Sequence, residues 1–287
     1  MSYPTIAVMG GDLRQKWLAY TLAQQKLLSA VYALPDFSQI DAVILSNPEA
    51  LSQYQCVIGP VPLARNGAIV LPVETQPLYL TELLQRLQPG QLLAGGNLPA
   101  DFIQQCRQKK IITYDFMQSP ELALVNAEIT AEGMIAVLLQ QTPYILQNTS
   151  LLLLGYGRCG MILAQKLTAL GCHVSICETD ALKRSLACSF GYTVLAPEAL
   201  PAILPNCELL VNTVPSLLLT YDLLQLLPSQ AMLFDLASAP GGIDKNAAEQ
   251  LSLYYQSCPG LPGKIAPQTA GELLAKDFLR YLNTNPL

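Results

Sequence analysis

A short apolar strand that runs directly into a glycine-rich turn constrains this chain more than any other feature. The strand covers residues 151–154, and Gly155, Gly157 and Gly160 follow in the pattern Gly-x-Gly-x-x-Gly, with a helix-forming stretch at 161–169. Such a turn brings backbone amides and the start of a helix towards a pyrophosphate. The order therefore predicts a dinucleotide-binding domain of Rossmann type; the alternative is an ordinary strand–turn–helix packing motif.

An acidic residue after the next predicted strand supports this interpretation. That strand covers residues 173–177, and Glu178 follows it directly. A carboxylate at this place can accept hydrogen bonds from the adenosine ribose hydroxyls, and it repels the 2′-phosphate of NADP. Thr179 and Lys183 are expected beside the same ribose. The pattern favours NAD.

Two further strands end in small polar residues, and we expect the nicotinamide ring near them. One run begins at Asn212 and the other at Asp235, each just past an apolar strand, where a ligand can reach backbone groups. Ordinary turns are the alternative, and Asp235 could equally be a structural or helix-capping acid. The predicted cofactor-binding residues are Gly155, Tyr156, Gly157, Arg158, Cys159, Gly160, Glu178, Thr179, Lys183, Asn212, Thr213, Val214, Pro215, Asp235, Leu236, Ala237 and Ser238.

The composition fits a globular protein with two cores. The chain has 287 residues, of which 51% are hydrophobic and 13% charged, and its formal net charge is -5. Continuous apolar runs suit buried parallel strands. No block of Lys and Arg stands out, so a surface that follows a nucleic-acid backbone is not expected.

The chain has the features of a cytoplasmic protein. It enters a strand-like run after only four residues without a basic segment or cleavage pattern, and it has no uninterrupted apolar run of membrane-spanning length. Its eight cysteines form no Cys-x-x-Cys pair. They are interpreted as buried, reduced thiols, and no metal site is predicted.

Alternating strands and helices define two α/β domains. In the first, strands are predicted at 6–8, 42–45, 57–58, 68–71, 91–94 and 111–114, and helices at 12–28, 78–87 and 100–109. In the second, strands follow at 173–177, 193–195, 209–212, 232–235 and 253–255. The pattern predicts two Rossmann-like domains with mainly parallel sheets and a cleft between them.

Four segments follow from this pattern. Residues 1–125 form an N-terminal α/β domain for substrate or partner, and residues 126–147 a bridging helix, bent near Pro143. Residues 148–258 form the dinucleotide-binding domain, and residues 259–287 a loop and a C-terminal helix that returns to the first domain.

The catalytic candidates are Arg14, Glu132 and Lys264. The only histidine, His173, begins a strand far from the expected nicotinamide and is interpreted as structural. Arg14 follows a Gly-Gly-Asp turn, where its guanidinium could bind a carboxylate in a bidentate contact; a surface or interdomain salt bridge is the alternative. For Glu132 and Lys264, the alternatives are a helix-start carboxylate and a solvated loop cation.

Several runs together resemble the family of the dehydrogenase-like A subunit of dipicolinate synthase over nearly the whole chain. They include rare strings of residues that are more specific than a glycine fingerprint. The runs are Gly10-Gly11-Asp12-x-Arg14, Asn126 with Thr130-Ala-Glu132-Gly133, 154–161, 212–216, 235–242, Pro259-Gly-Leu-Pro-Gly263 and Ala266-Pro267-Gln-Thr269-Ala270-Gly271.

The resemblance implies a nicotinamide-dependent dehydrogenase of sporulation in the mother-cell cytoplasm. Its substrate would be dihydrodipicolinate or the hydroxylated precursor, from the diaminopimelate and lysine route, and its product dipicolinate. The family implies NADP as cofactor, whereas Glu178 favours NAD; Lys183 and Arg184 are basic residues that could compensate. It also implies, as partner, the flavoprotein-like B subunit of dipicolinate synthase.

Two other classes of function stay open. One is a dehydrogenase of another carboxylic acid, of the hydroxy-acid or alanine type; the lack of a histidine at the expected cleft counts against it. The other is a non-catalytic, nicotinamide-sensing scaffold. Whatever its function, the chain is expected to form a homo-oligomer.

Overall fold

The computed structural model describes residues 4–35, 40–72, 74–238 and 240–286. Its strands are β1 Ile6–Met9, β2 Leu28–Tyr32, β3 Val43–Leu45, β4 Cys56–Ile58, β5 Ala64–Arg65, β6 Ala68–Ile69, β7 Leu92–Gly95, β8 Ile112–Asp115, β9 Ser150–Leu154, β10 His173–Cys177, β11 Thr193–Leu195, β12 Leu209–Asn212, β13 Met232–Asp235 and β14 Tyr254–Ser257. Its α-helices are α1 Leu13–Gln24, α2 Leu80–Arg86, α3 Ala100–Gln108, α4 Pro120–Gln141, α5 Arg158–Ala169, α6 Ala181–Ser189, α7 Leu200–Ile203, α8 Tyr221–Leu224, α9 Lys245–Gln250, α10 Leu261–Ile265 and α11 Pro267–Thr284.

The chain divides into two compact units. Unit 1 comprises Met1–Asn126 and Gly263–Leu287, and unit 2 comprises Ala127–Pro262. The first boundary lies within α4 and the second within α10.

Each unit contains a six-stranded sheet, and the two sheets have the same strand order. The order is β3-β2-β1-β4-β7-β8 in unit 1 and β11-β10-β9-β12-β13-β14 in unit 2. Every neighbouring pair in both sheets is parallel. The predicted α/β class with mainly parallel sheets is therefore confirmed. In both sheets the order reverses beside the first strand, β1 or β9, which is where ligands bind in open α/β folds.

The core of unit 1 depends on the C-terminal helix α11. Leu274 and Phe278 of α11 are buried against the sheet together with Leu18 and Leu22 of α1. The two helices approach closely because residue 271 is a glycine: a Cβ there would lie 2.4 Å from the carbonyl oxygen of Arg14. The last helix is thus part of the first unit's core.

Four local predictions need correction. The helix predicted at 12–28 ends at Gln24, and the strand Leu28–Tyr32 was missed, because Lys26 adopts a left-handed conformation (φ 58°) that nothing in the sequence indicates. The run at 68–71 is one arm of a hairpin with Ala64–Arg65. Its turn is Asn66-Gly67, both with positive φ. This is a sequence signal for a two-residue hairpin.

The other two corrections concern helix bounds. Helix α4 begins earlier than predicted, at Pro120, and ends at Gln141. Pro143 therefore lies beyond its end and bends nothing. The loop predicted before α11 contains the short helix Leu261–Ile265.

Within the described ranges, α4 is the helix long and apolar enough to cross a bilayer, a test that considers length and composition only. Glu128 and Glu132 interrupt its apolar sequence, and charged residues at mid-helix are costly in a membrane. Ala131, Met134 and Leu138 pack into the core of unit 2. These three residues give α4 one side that is buried within unit 2.

Candidate functional site

At the point where the strand order of the first sheet reverses, the backbone amides after β1 are bonded to other groups of the protein. The Gly10 amide donates to the Tyr32 carbonyl, and the Gly11 amide donates to the Val70 carbonyl at 2.7 Å. The side chain of Asp12 caps α1 by accepting from the Arg14 amide. These amides are therefore already bonded within the protein, so the Gly-Gly-Asp turn is not an open phosphate site.

The reversal point of the second sheet differs from the first at the start of its helix. Helix α5 begins after Gly157, and no side chain caps it. Its first amides are therefore available to an anion, where the helix dipole also favours negative charge.

The three glycines of this turn have different roles. Gly155 has φ 92°, and a Cβ there would lie 2.6 Å from Thr213 Oγ1. A Cβ on Gly160 would lie 2.2 Å from the Gly155 carbonyl oxygen. Gly155 and Gly160 are thus required for packing. A Cβ on Gly157 would meet no atom within 4 Å, so this glycine faces open space.

A cavity of about 410 Å³ lies in front of this turn. It is lined by Gly155, Gly157, Arg158, Cys159, Gly160, Cys177, Glu178, Thr179, Lys183, Pro197, Thr213, Val214, Pro215, Ser216, Leu217 and Leu218. Many of the predicted cofactor residues therefore meet at one concave site, with Arg158 and Lys183 as its cations.

Glu178 is buried at the edge of this cavity and is held by its own chain. Its Oε2 accepts the Tyr156 amide at 2.7 Å, and its Oε1 accepts the Asp180 amide at 3.0 Å and the Thr179 hydroxyl at 3.1 Å. Burial works to raise the pKa of Glu178, but the hydrogen bonds from Asp180, Tyr156 and Thr179 outweigh it and lower the pKa. The group is a carboxylate at neutral pH.

Asn212 and Asp235 do not line the cavity; they join the ends of β12 and β13. Both side chains are fully buried, and Asn212 Nδ2 donates to Asp235 Oδ1 at 2.8 Å. Asn212 also binds both backbone polar groups of Val214. Asp235 accepts the amides of Ala237 and Gly242. The pair thus fixes the two loops that follow these strands.

The other predicted cofactor residues outside the cavity have structural surroundings. The Tyr156 ring is buried and packs edge-on against Tyr192, with ring centroids 6.0 Å apart. Leu236, Ala237 and Ser238 follow Asp235 in its loop but do not line the cavity; Ala239 lies outside the described residues.

Replacing Asp235 should destabilise unit 2 because the Asn212 side chain and the amides of Ala237 and Gly242 would each lose a hydrogen bond. We expect Asp235→Ala to lower the free energy of unfolding by about 3 kcal/mol. Asp235→Asn keeps Oδ1 and loses only the bond to Gly242, so it should cost about 1–2 kcal/mol. Denaturant unfolding measures both; equal stability of all three proteins would contradict a structural role.

Arg14 lies in unit 1 and is buried against Asp12. Its Nε and Nη2 donate to the Asp12 carboxylate at 2.8–3.1 Å, and Nη2 also donates to the Val61 carbonyl. Partial burial works to raise the pKa of Asp12, but Arg14 lowers it through hydrogen bonds and charge. In this conformation the Nε–Nη2 edge is occupied, so the Nη1 hydrogens remain for a further ligand.

Glu132 and Lys264 have no such buried setting. Glu132 is exposed on α4 and forms an ion pair with Lys166 at 2.8 Å. Lys264 is exposed on α10 in unit 1. The single histidine is not part of the candidate site either. His173 is exposed at the start of β10 and does not line the cavity.

The cysteines of the described chain are free, and most are buried; Cys188 is exposed. Burial raises the pKa of the Cys56 and Cys207 thiols to about 12, so both stay protonated. In the described ranges no three His, Cys, Asp or Glu side chains are grouped as metal ligands.

Sequence reasoning missed five residues that line the cavity as cofactor contacts. They are Cys177, Pro197, Ser216, Leu217 and Leu218. Cys177 could have been found, since it is the last strand residue before Glu178. The leucines follow Ser216 in a loop whose path depends on the bond from the Leu218 amide to the Gly242 carbonyl, which no local pattern indicates.

Comparison with known proteins supports the resemblance seen in the sequence. Residues 5–117 match the family model for the N-terminal domain of the dipicolinate synthase A subunit. The corresponding A subunit from Bacillus subtilis (strain 168) is 28% identical over 291 residues, which cover 96% of this chain and 95% of the relative.

Solved structures agree. The dipicolinate synthase A chain from Bacillus subtilis has a TM-score of 0.85 at 26% identity and covers 99% of this chain and 97% of its own. Transhydrogenase from Sinorhizobium meliloti has a TM-score of 0.71 at 14% identity, covering 97% and 93%, and shows a shared fold. The resemblance is confirmed: the chain is similar to the dipicolinate synthase A subunit over almost its whole length, and residues 5–117 belong to the family of that subunit's N-terminal domain.

Proposed function

We propose that this protein is a nicotinamide-dependent dehydrogenase that oxidises dihydrodipicolinate, or its hydroxylated precursor, to dipicolinate during sporulation. The observation that carries the proposal is the open cavity at the Gly-x-Gly-x-x-Gly turn in a chain similar throughout to the dipicolinate synthase A subunit. A nicotinamide-dependent dehydrogenase is also compatible with the fold, because parallel α/β sheets of this order are typical of dinucleotide-binding domains. The substrate comes from the resemblance.

The cavity suits the pyrophosphate and adenosine half of NAD or NADP. The uncapped start of α5 supplies amides, and the space beside Gly157 admits phosphates closely. Arg158 and Lys183 add positive charge. Glu178 lies where a ribose is expected.

Oxidation of dihydrodipicolinate removes a hydride and a proton from its ring, and the hydroxylated precursor would first lose a molecule of water. A bound nicotinamide would accept the hydride, and the proton would pass to solvent or to a base. The product is aromatic, so the substrate itself favours the loss of hydride, and positioning accounts for most of the catalysis. On this proposal Arg14, Glu132 and Lys264 are the residues to test for binding the carboxylates or moving the proton.

The test is direct. The chain is mixed with the product of the dihydrodipicolinate-forming condensation and either NAD or NADP, and formation of pyridine-2,6-dicarboxylate and reduced cofactor is followed by absorbance. We expect both to appear together. Turnover only with another hydroxy or amino acid would indicate a different dehydrogenase. Binding of the dinucleotide without turnover of any substrate, even in the presence of the partner protein, would indicate a sensor.

The proposal includes a setting for the enzyme. The Bacillus subtilis relative is named as one of the subunits of a synthase, which supports a partner; we propose that this partner is the flavoprotein-like B subunit. We further propose a homo-oligomer in the cytoplasm of the mother cell. Co-purification of the two proteins during sporulation, with a mass above that of one copy of each, is the expected result.

The cofactor preference is a separate prediction. Because the carboxylate of Glu178 is ionised, NAD should bind at least as tightly as NADP, and Glu178→Arg should shift the ratio of the two dissociation constants towards NADP. The test uses the ratio of the NAD and NADP dissociation constants, because the affinities for both cofactors can fall in the variant. A tenfold preference of the native protein for NADP, about 1.4 kcal/mol, would contradict this role of Glu178.

A further inference from the structure

Glu178 joins the ends of two neighbouring strands. It follows β10, yet its Oε2 accepts the amide of Tyr156, which lies in the turn after β9. Its Oε1 accepts the Thr179 hydroxyl and the Asp180 amide. An ionised carboxylate has about four acceptor sites. Three of them are therefore used within the protein, which leaves about one for a ligand.

The bond to Tyr156 fixes the middle of the glycine turn. The neighbouring Gly155 amide is bonded to the Cys177 carbonyl at 2.8 Å, so two successive amides of the turn point back towards β10. The chain then enters α5 through Gly157. The next amides belong to the uncapped start of α5, where Gly157, Arg158 and Cys159 line the cavity.

Unit 1 shows the alternative arrangement at the equivalent place. There the carboxylate of Asp12 sits on the start of α1 itself and accepts the Arg14 amide at 2.9 Å. A carboxylate in that position occupies the helix start. In unit 2 the carboxylate of Glu178 instead accepts the Tyr156 amide within the turn, so it does not occupy the start of α5.

We propose that Glu178 is a positioning residue: its carboxylate holds the glycine turn in the shape that presents the first amides of α5 to a pyrophosphate, and contact with ribose hydroxyls is secondary. The inference rests on the proposed dinucleotide function for its ligand, but the bond to the Tyr156 amide can be tested without any ligand. Charge-assisted hydrogen bonds of this kind are the stronger ones in proteins.

The experiment compares ligands with and without ribose hydroxyls. Binding of ADP and of 2′,3′-dideoxyadenosine 5′-diphosphate is measured for the wild-type protein, Glu178→Ala and Glu178→Gln. A positioning role predicts that Glu178→Ala weakens both ligands, by about tenfold, because the phosphate site itself is disturbed. Glu178→Gln retains an acceptor for the Tyr156 amide and should recover part of the affinity for both.

The matched control is Asp180→Asn. Asp180 is a nearby carboxylate that caps α6 by accepting the amides of Leu182 and Lys183. Asparagine preserves the cap and removes the charge. This variant should bind the dideoxy ligand as the wild-type protein does. Loss of a negative charge should by itself favour an anionic ligand. A loss of affinity equal to that of Glu178→Ala would therefore show that any substitution in this loop disturbs the site, and it would overturn the proposal.

Hydrogen exchange gives the ligand-free test. The Tyr156 amide should exchange at least about tenfold faster in Glu178→Ala than in the wild-type protein, while the Gly155 amide keeps its protection. Unchanged exchange at Tyr156 would overturn the proposal. So would a dideoxy affinity of Glu178→Ala within about threefold of wild type.

Failure of the proposed function gives a different result. If the wild-type protein binds neither NAD nor NADP, that function fails, whereas the exchange of the Tyr156 amide still decides what Glu178 does. If Glu178→Ala is unfolded, the same measurements on Glu178→Gln apply, and a loss confined to ADP would overturn the positioning role.

Discussion

Replacing Gly157 with valine is expected to abolish binding of the dinucleotide and to leave the protein folded. The backbone at Gly157 has φ -80° and ψ -170°, an extended conformation that any residue adopts. A Cβ there would meet no protein atom within 4 Å, and Gly157 lines the cavity, so we expect the valine side chain to occupy space that the proposed dinucleotide would need for its pyrophosphate. We expect the affinity to fall by about a hundredfold or more. Titration with the reduced dinucleotide and thermal unfolding measure the two effects.

Gly160→Ala is the contrasting variant. It adds a Cβ 2.2 Å from the Gly155 carbonyl oxygen, so the helix must move or the turn must open. We expect a loss of stability of about 1–3 kcal/mol or more, with a lower midpoint of unfolding. The assignment of the site fails if the folded Gly157→Val protein binds the dinucleotide with unchanged affinity.

The second domain could be predicted closely because its strands form short apolar runs, of which β9, β12 and β13 are largely buried. The strands His173–Cys177, Thr193–Leu195, Leu209–Asn212 and Met232–Asp235 have the predicted bounds. In a parallel sheet the carboxyl ends of such strands meet at one edge, so the residues after them could be expected at one site.

What the side chains do at that edge could not be predicted. Asn212 and Asp235 lie at strand ends, as a ligand-binding pair would, but each finds its partner on the neighbouring strand. The glycines at 241 and 242 leave room for this pair of side chains. A Cβ at Gly242 would lie 2.4 Å from Asn212 Nδ2. The same small, polar residues suit a ligand and a buried polar cluster, and only the three-dimensional arrangement separates the two.

The hydrogen bonds of Arg14 differ most between the prediction from the sequence and the structure. A guanidinium after a strand end suggested a free bidentate donor, but Asp12 and Val61 already hold its Nε and Nη2. Gly263 lies against the same pair, since a Cβ there would come within 2.5 Å of Asp12 Oδ2. Val61 and Gly263 are distant in sequence, so no local pattern could reveal this setting.

We propose that Arg14 nevertheless binds a substrate carboxylate, through Nη1 in the present conformation or through the full fork when Asp12 is displaced. Arg14→Ala should then lower kcat/KM by on the order of tenfold to a hundredfold with cofactor affinity little changed, since a charge-assisted contact contributes about 1.5–3 kcal/mol. Lysine should not fully rescue it, because one ammonium cannot replace donors that point at Asp12, Val61 and a ligand together.

The decisive comparison is with Asp12→Asn. Asparagine still caps α1 but binds Arg14 more weakly, so this variant loosens the same contact while the guanidinium stays. If Arg14 acts on the substrate, Asp12→Asn should retain kcat/KM much better than Arg14→Ala at a similar loss of stability. If the two variants lose stability and kcat/KM in parallel, or if Arg14→Ala loses cofactor binding equally, Arg14 serves the fold of unit 1 and the substrate carboxylates are bound by other residues.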